Sequence, residues 1–124
     1  LADAVQRPVI LHCVRTFDRL IQLKKKYKNI PAWCIHGYSR HAQLAKQLIN
    51  QGFYLSLMPM VQPSESDQEL LLSLPQHQFF LETDSMPHIT IEALYLQVAK
   101  ILNISVQTLQ KQLLKNAKTF FNHE

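Results

Sequence analysis

Short apolar runs alternate with amphipathic segments along most of the chain. The runs are five or six residues long and largely continuous in hydrophobicity, as strands are when both faces of a sheet are covered. In the intervening segments, apolar residues return at intervals of three and four, which is typical of helices with one buried face. The pattern therefore predicts four β/α units, with strands at Pro8–Cys13, Ala32–His36, Phe53–Leu57 and Gln78–Glu82.

Capping residues mark where the predicted helices begin and end. Thr16 and Ser39 stand at the N-cap positions of the first two helices, and Gly52 stands just beyond the second. Ser64 precedes the third helix, and Ser105 precedes the last. Because apolar residues after the fourth strand occur only at helical spacing, we expect C-terminal helices and no further strand.

The alternation of strands with helices also predicts how the strands are arranged. Each helix returns the chain through a right-handed crossover, so that the strands run parallel, and the predicted fold class is α/β with four β/α units plus C-terminal helices. Four units are half of a TIM barrel, but they also suit a small ligand-binding, flavodoxin-like layer. Periodicity does not separate the two, although Gly37 and Gly52 are the only glycines and form no glycine-rich phosphate loop.

Composition limits the chain to one domain of modest charge. Of its 124 residues, 47% are hydrophobic, so we expect one core over residues 1–124. A formal net charge of +4 permits an anionic partner without requiring one. No apolar run approaches the roughly 18 residues of a membrane span, so no membrane association is expected. Cys13 and Cys34 lie in apolar runs and are interpreted as reduced thiols, which favours a cytoplasmic location.

Residues of metal-ligand type follow three of the four predicted strands. His12 and His36 lie where the first two strands end or nearly end, and Asp84 lies just beyond the fourth. Parallel α/β folds gather their ligand groups at the carboxyl ends of the strands. Two imidazoles and a carboxylate are donors that Zn, Mn or Fe accept. Each residue alone is more often an ordinary polar group, but the repeated placement predicts a metal site.

Five segments of the chain carry a family pattern through their order and spacing. These segments are Pro8–Arg15, Ile35–Ser39, Gly52–Ser56, Phe80–Ser85 and Asn116–Phe121. Together they resemble the TatD family of metal-dependent deoxyribonucleases in the amidohydrolase superfamily. The resemblance extends over nearly the whole chain, and its specificity comes from the ordered set rather than from any single motif.

The resemblance implies a TIM-type barrel with two divalent metal ions, Zn, Mn or Mg, at its C-terminal face. It implies that His12 and His36 bind the second metal, and that Asp84 binds the first and acts in catalysis by helping to activate the attacking water. Arg15 is placed to bind a phosphate, because a guanidinium offers a fork of donors. The implied substrate is DNA or another phosphodiester, and the metals would supply a nucleophile at neutral pH.

The chain departs from the family pattern in ways that bear on activity. The H-x-H pair of the family's first strand and its bridging glutamate have no counterpart here, so the resemblance implies the C-terminal half of the barrel. With half of the ligands, we expect weak or no hydrolysis by the chain alone. The alternative is a catalytically silent half-barrel, an assembly or interaction module whose open sheet edges pair with a second copy or a separate N-terminal half. The role of Glu82 stays open.

Overall fold

The computed structural model contains an α/β fold. It describes residues 7–12, 17–39, 41–57, 63–82 and 90–121. The strands are β1 Val9–His12, β2 Trp33–Tyr38, β3 Phe53–Leu57 and β4 Phe79–Leu81. The helices are α1 Phe17–Lys26, α2 Ala42–Asn50, α3 Glu65–Ser73, α4 Ile91–Leu102 and α5 Val106–Phe121, and a 3-10 turn at Gln76–Gln78 precedes β4. Within these ranges, none of the helices has the length and apolar character needed to cross a lipid bilayer.

The four strands form one parallel sheet in the order β1-β2-β3-β4. This confirms the predicted fold class of four β/α units with C-terminal helices. A flavodoxin-like layer places its first strand between the second and the third, so the sequential order excludes that alternative. The helices α2, α3, α4 and α5 pack against one another in chain order. A sheet wound in one direction with helices following in order is the arrangement of a barrel wall.

The main hydrophobic core lies between the sheet and the helices. Successive strand residues point to opposite faces, and one face of every strand belongs to this core. Burial of each large side chain contributes about 1.5 to 3 kcal/mol, so this layer supplies most of the hydrophobic stabilisation. Its fully buried strand and helix residues include Ile35, Phe53, Leu55, Leu57, Phe79, Leu48, Leu71 and Leu109.

The opposite face of the sheet, here called the inner face, has an apolar floor made of Cys34, Tyr54, Phe80 and Phe120. Phe120 lies near the end of α5 and is only 1% exposed. Its ring centroid is 5.2 Å from that of Tyr54 and 5.9 Å from that of Phe80. Ile10 on β1 has the inward parity but is 55% exposed, so the floor does not extend to this edge strand.

Three of the predicted helix boundaries are confirmed. Ser64 is the N-cap of α3, and its side chain forms a reciprocal capping box with Asp67. The hydroxyl of Ser105 accepts a hydrogen bond of 3.0 Å from the backbone N–H of Thr108 at the start of α5. Gly52 follows α2 with φ +88°, the left-handed conformation that favours glycine just beyond a helix.

The predicted N-cap of α2 is wrong by two residues. His41, rather than Ser39, caps the helix, and its Nδ1 accepts a hydrogen bond of 3.2 Å from the backbone N–H of Leu44. An imidazole nitrogen can perform the same task as a hydroxyl because it also presents a lone pair to an unpaired helix N–H. The predicted cap Thr16 lies outside the described residues.

Strand β2 is longer than predicted and contains a bulge. It continues past His36 to Tyr38, so His36 does not end its strand. Between Ile35 and Tyr38, β2 has one more residue than the paired stretch of β3. Gly37 lies in this interval with φ +72°, a conformation that a side chain would strain. The extra residue brings Tyr38 into the helix-side core, whereas His36, two residues after Cys34, lies on the inner face.

Candidate metal centre

His12 and His36 lie side by side where β1 ends and β2 approaches its end. The two residues are directly paired across the parallel strands, and their ring centroids are 5.8 Å apart. Imidazoles that share one Zn²⁺ at about 2.1 Å per bond have ring centroids about 5 to 6 Å apart. The spacing of the two rings therefore suits a common cation.

Glu82 approaches His36 on the same face, from the opposite edge of the sheet. Its Oε2 lies 3.0 Å from Nδ1 of His36 and 2.5 Å from the hydroxyl oxygen of Ser56, which donates to it. The backbone N–H of Gly37, in the β2 bulge, donates to the same oxygen over 3.3 Å. The rim, defined here as His12, His36, Ser56 and Glu82, is thus a connected polar group above the apolar floor.

The period of two along each strand explains why the rim and the floor are separate. Side chains two residues apart point to the same face, so each polar rim residue lies two residues after an apolar residue of the inner face. Parallel pairing then brings the ends of all strands to one edge. The pairs are Ile10 and His12, Cys34 and His36, Tyr54 and Ser56, and Phe80 and Glu82.

Glu82 is the site residue whose role the sequence analysis left open. It follows β4, and its backbone N–H still donates to the carbonyl of Leu57 over 3.3 Å, so the sheet geometry continues to this residue. The signal that identifies it is parity, because Glu82 stands two residues after the inner-face residue Phe80. A carboxylate with 11% exposure requires donors around it, and the rim supplies them.

Two of the predicted site residues, Asp84 and Arg15, lie outside the described residues. Their predicted roles, in metal binding with catalysis and in phosphate binding, therefore stay predictions. Among the residues that the structure describes, no group of three or more His, Cys, Asp and Glu side chains could hold a metal ion. The described part of the predicted metal site consists of His12 and His36.

Cys34 shows how dry the inner face is beneath the rim. Burial, and to a lesser extent the negative charge of Glu82, raise the pKa of its thiol from 9.0 to about 12. A hydrogen bond with the backbone of Ser56 acts in the opposite direction. The thiol is therefore neutral at physiological pH, and it does not have the thiolate character that a metal ligand or nucleophile needs.

The chemistry of the rim suits a divalent cation bound by imidazoles. A neutral histidine binds a metal through the ring nitrogen that carries no proton. A carboxylate that accepts a hydrogen bond from one ring nitrogen keeps the proton there and leaves the other nitrogen free to bind the metal. In His36, Glu82 occupies Nδ1, so the cation would be bound through Nε2. The two described histidines are donors of the type that such a cation accepts, and the metal site itself stays a prediction.

Known proteins similar to this chain include two uncharacterized metal-dependent hydrolases. One, from Methanocaldococcus jannaschii, is 28% identical over an alignment of 133 positions, gaps included, that covers 98% of this chain and 51% of that protein. The other, YjjV from Escherichia coli, is 28% identical over 87 residues, which cover 68% of this chain and 34% of that protein. The chain therefore spans about half, or less, of the length of the curated relatives it matches.

Two solved structures share the fold. The crystal structure of YjjV, a TatD homolog from Escherichia coli, has a TM-score of 0.81 and 24% identity, covering 98% of this chain and 52% of that one. A TatD family hydrolase from Entamoeba histolytica has a TM-score of 0.79 and 13% identity, covering 97% and 52%. These structures are TIM-barrel proteins, so the sheet corresponds to part of a barrel wall. The family model of TatD-related DNases matches residues 1–122, and the chain therefore belongs to the TatD-related DNase family.

Proposed function

We propose that this chain supplies metal-binding residues to a hydrolase that cleaves phosphodiester bonds, with DNA as the substrate class. The observation that carries the proposal is the pairing of His12 and His36 on the inner-face rim, with ring centroids 5.8 Å apart. Membership of the TatD-related DNase family and the metal-dependent hydrolases among its relatives support the same reaction. The residues proposed for this activity are His12, His36, Asp84 and Arg15.

In this proposal, each residue has a defined task. His12 and His36 bind a divalent cation, Zn, Mn or Mg, and Asp84 completes the site and acts on the attacking water. Arg15 binds a phosphate of the substrate through its fork of donors. When bound, the cation supplies Lewis-acid activation of the phosphoryl group and of the water. The apolar floor beneath the rim keeps bulk water away and strengthens the electrostatic interactions of these groups.

The resemblance places further ligands on segments that this sequence does not contain. We therefore propose that hydrolysis by these 124 residues alone is weak, and that cation binding is the more sensitive measurement. A catalytically silent assembly module is not favoured, since it does not explain why paired histidines and a half-buried carboxylate lie on one rim. A second copy or a separate N-terminal half remains a proposed partner.

The experiment measures Zn²⁺, Mn²⁺ and Mg²⁺ binding by isothermal titration calorimetry. We expect His12→Ala, His36→Ala and Asp84→Ala each to weaken binding roughly tenfold or more, because each removes a ligand. His77→Ala is the matched control, since His77 is exposed on the 3-10 turn at the opposite end of the strands. Metal-dependent cleavage of a labelled DNA oligonucleotide, abolished by EDTA, tests the reaction. Equal affinities for His12→Ala and His77→Ala would refute the proposed site.

A further inference from the structure

Glu82 is held on the rim by contacts with two neighbouring strands. Three donors converge on its Oε2: the hydroxyl of Ser56, Nδ1 of His36 and the backbone N–H of Gly37. The donors come from β2 and β3, and Glu82 itself follows β4. A carboxylate tied to fixed backbone elements in this way has little freedom to change its orientation.

The contact between Glu82 and His36 decides where the imidazole carries its proton. A carboxylate accepts hydrogen bonds and donates none, so Nδ1 of a neutral His36 must carry the proton that lies between them. Nε2 is then the nitrogen with a lone pair. The 3.0 Å contact therefore selects one of the two tautomers as well as one ring orientation.

The β2 bulge and Ser56 serve the same arrangement. Gly37 lies in the bulge with a positive φ, and its backbone N–H donates to Glu82 directly after His36 on the inner face. Ser56 is buried, with 9% exposure, and bridges the carboxylate to β3. These contacts hold Glu82 behind His36, on the side away from the nitrogen that would bind a cation.

We propose that Glu82 is a positioning residue that keeps the proton on Nδ1 of His36 and thereby directs its Nε2 toward the cation. This role rests on the proposed function only in its second part, since the tautomer and the orientation are set without metal. Outer carboxylates of this kind typically change metal affinity about 10- to 100-fold.

The first measurement needs no metal and no variant. Long-range ¹H–¹⁵N spectra of the neutral imidazoles, recorded on the metal-free chain, report which nitrogen of each histidine is protonated. We expect the Nδ1–H tautomer for His36 in the wild-type chain. If His36 carries its proton on Nε2 instead, the proposed role of Glu82 is wrong, whatever the chain binds.

Variants then show whether Glu82 causes this preference. Glu82→Ala is expected to shift His36 to the Nε2–H form or to a mixture, whereas Glu82→Gln keeps an accepting oxygen and should largely retain the Nδ1–H form. His12 serves as the internal control, and Glu92→Ala is the matched carboxylate control, because Glu92 is exposed on α4. An unchanged His36 tautomer in folded Glu82→Ala would overturn the proposal.

Cation titration tests the consequence. With Zn²⁺ as the probe, Glu82→Ala should bind about 10- to 100-fold more weakly than the wild type, with Glu82→Gln between them and Glu92→Ala unchanged. Equal affinities for Glu82→Ala and Glu92→Ala would contradict the positioning role. A wild-type chain that binds no cation would instead refute the proposed function, and the tautomer spectra would still decide the role of Glu82.

Discussion

Replacing Asn116 by alanine should destabilise the fold strongly, because this side chain attaches α5 to the start of β4. Asn116 is only 2% exposed. Its Nδ2 donates hydrogen bonds of 2.7 Å to the carbonyl of Gln76 and 3.0 Å to the carbonyl of Phe79. Its Oδ1 accepts a bond of 2.8 Å from the side chain of Gln112, one turn earlier on the helix.

The loss in free energy of unfolding follows from the hydrogen-bond donor that each carbonyl partner loses. The carbonyl of Phe79 belongs to a buried residue, and loss of its donor costs about 2 kcal/mol. Gln76 is half-buried, so water can replace the lost donor and the cost is about 1 kcal/mol. Alanine recovers roughly 0.6 kcal/mol through its better helix propensity. The free energy of unfolding should therefore fall by about 2 to 3 kcal/mol.

Urea unfolding followed by far-UV circular dichroism measures this loss. We expect a lower midpoint with an unchanged slope, because the surface exposed on unfolding stays the same. Lys115→Ala is the control on the same helix, since Lys115 is exposed, and it should change stability by less than about 0.5 kcal/mol. If Asn116→Ala loses no more stability than Lys115→Ala, the two hydrogen bonds to the carbonyls of Gln76 and Phe79 do not hold α5 in place.

Two further predictions concern the floor of the inner face. Phe120→Ala should lower the free energy of unfolding by about 3 to 5 kcal/mol, whereas Phe121→Ala should change it far less, because Phe121 is 59% exposed. Thermal unfolding compares the two variants, and equal losses of stability would contradict the packing of Phe120 into the floor. Cys34, in a Cys13→Ser background, should react with iodoacetamide much more slowly in the folded chain than in urea, because burial raises its pKa to about 12. The stability gained from this neutral thiol is complete below about pH 9 and is lost as pH rises toward 12, so the folded wild type should lose more stability in that range than Cys34→Ala.

The fold class could be predicted because a parallel sheet leaves a strong pattern in the sequence. Strands such as Phe53–Leu57 are apolar almost throughout, since helices cover one face and the floor covers the other. The order of the strands could not be predicted in this way. Periodicity describes which face of an element is buried but not which neighbour it pairs with, so the barrel-like order became clear only from the sheet itself.

The proximity of His12 and His36 was predictable for a related reason. Parallel strands end at one edge, so similar positions in consecutive units become neighbours in space. The bulge at Gly37 was not predictable, because a single extra residue leaves no periodic signal in a strand of six. The N-cap of α2 was misplaced for a comparable reason, since His41 performs a task for which a serine is more common.

Glu82 shows how stability and site chemistry are combined along the same strands. Its partner residue two positions earlier, Phe80, packs into the floor, while Glu82 itself meets His36 and Ser56 on the rim. A shift of one residue in the register of β4 would exchange its two faces and place the carboxylate in the helix-side core. The resulting loss of folding free energy would be far larger than that of an ordinary surface substitution. The packing of Phe80 therefore fixes the register that brings Glu82 to His36. It follows that substitutions in the floor should disturb the rim even though they touch no polar group.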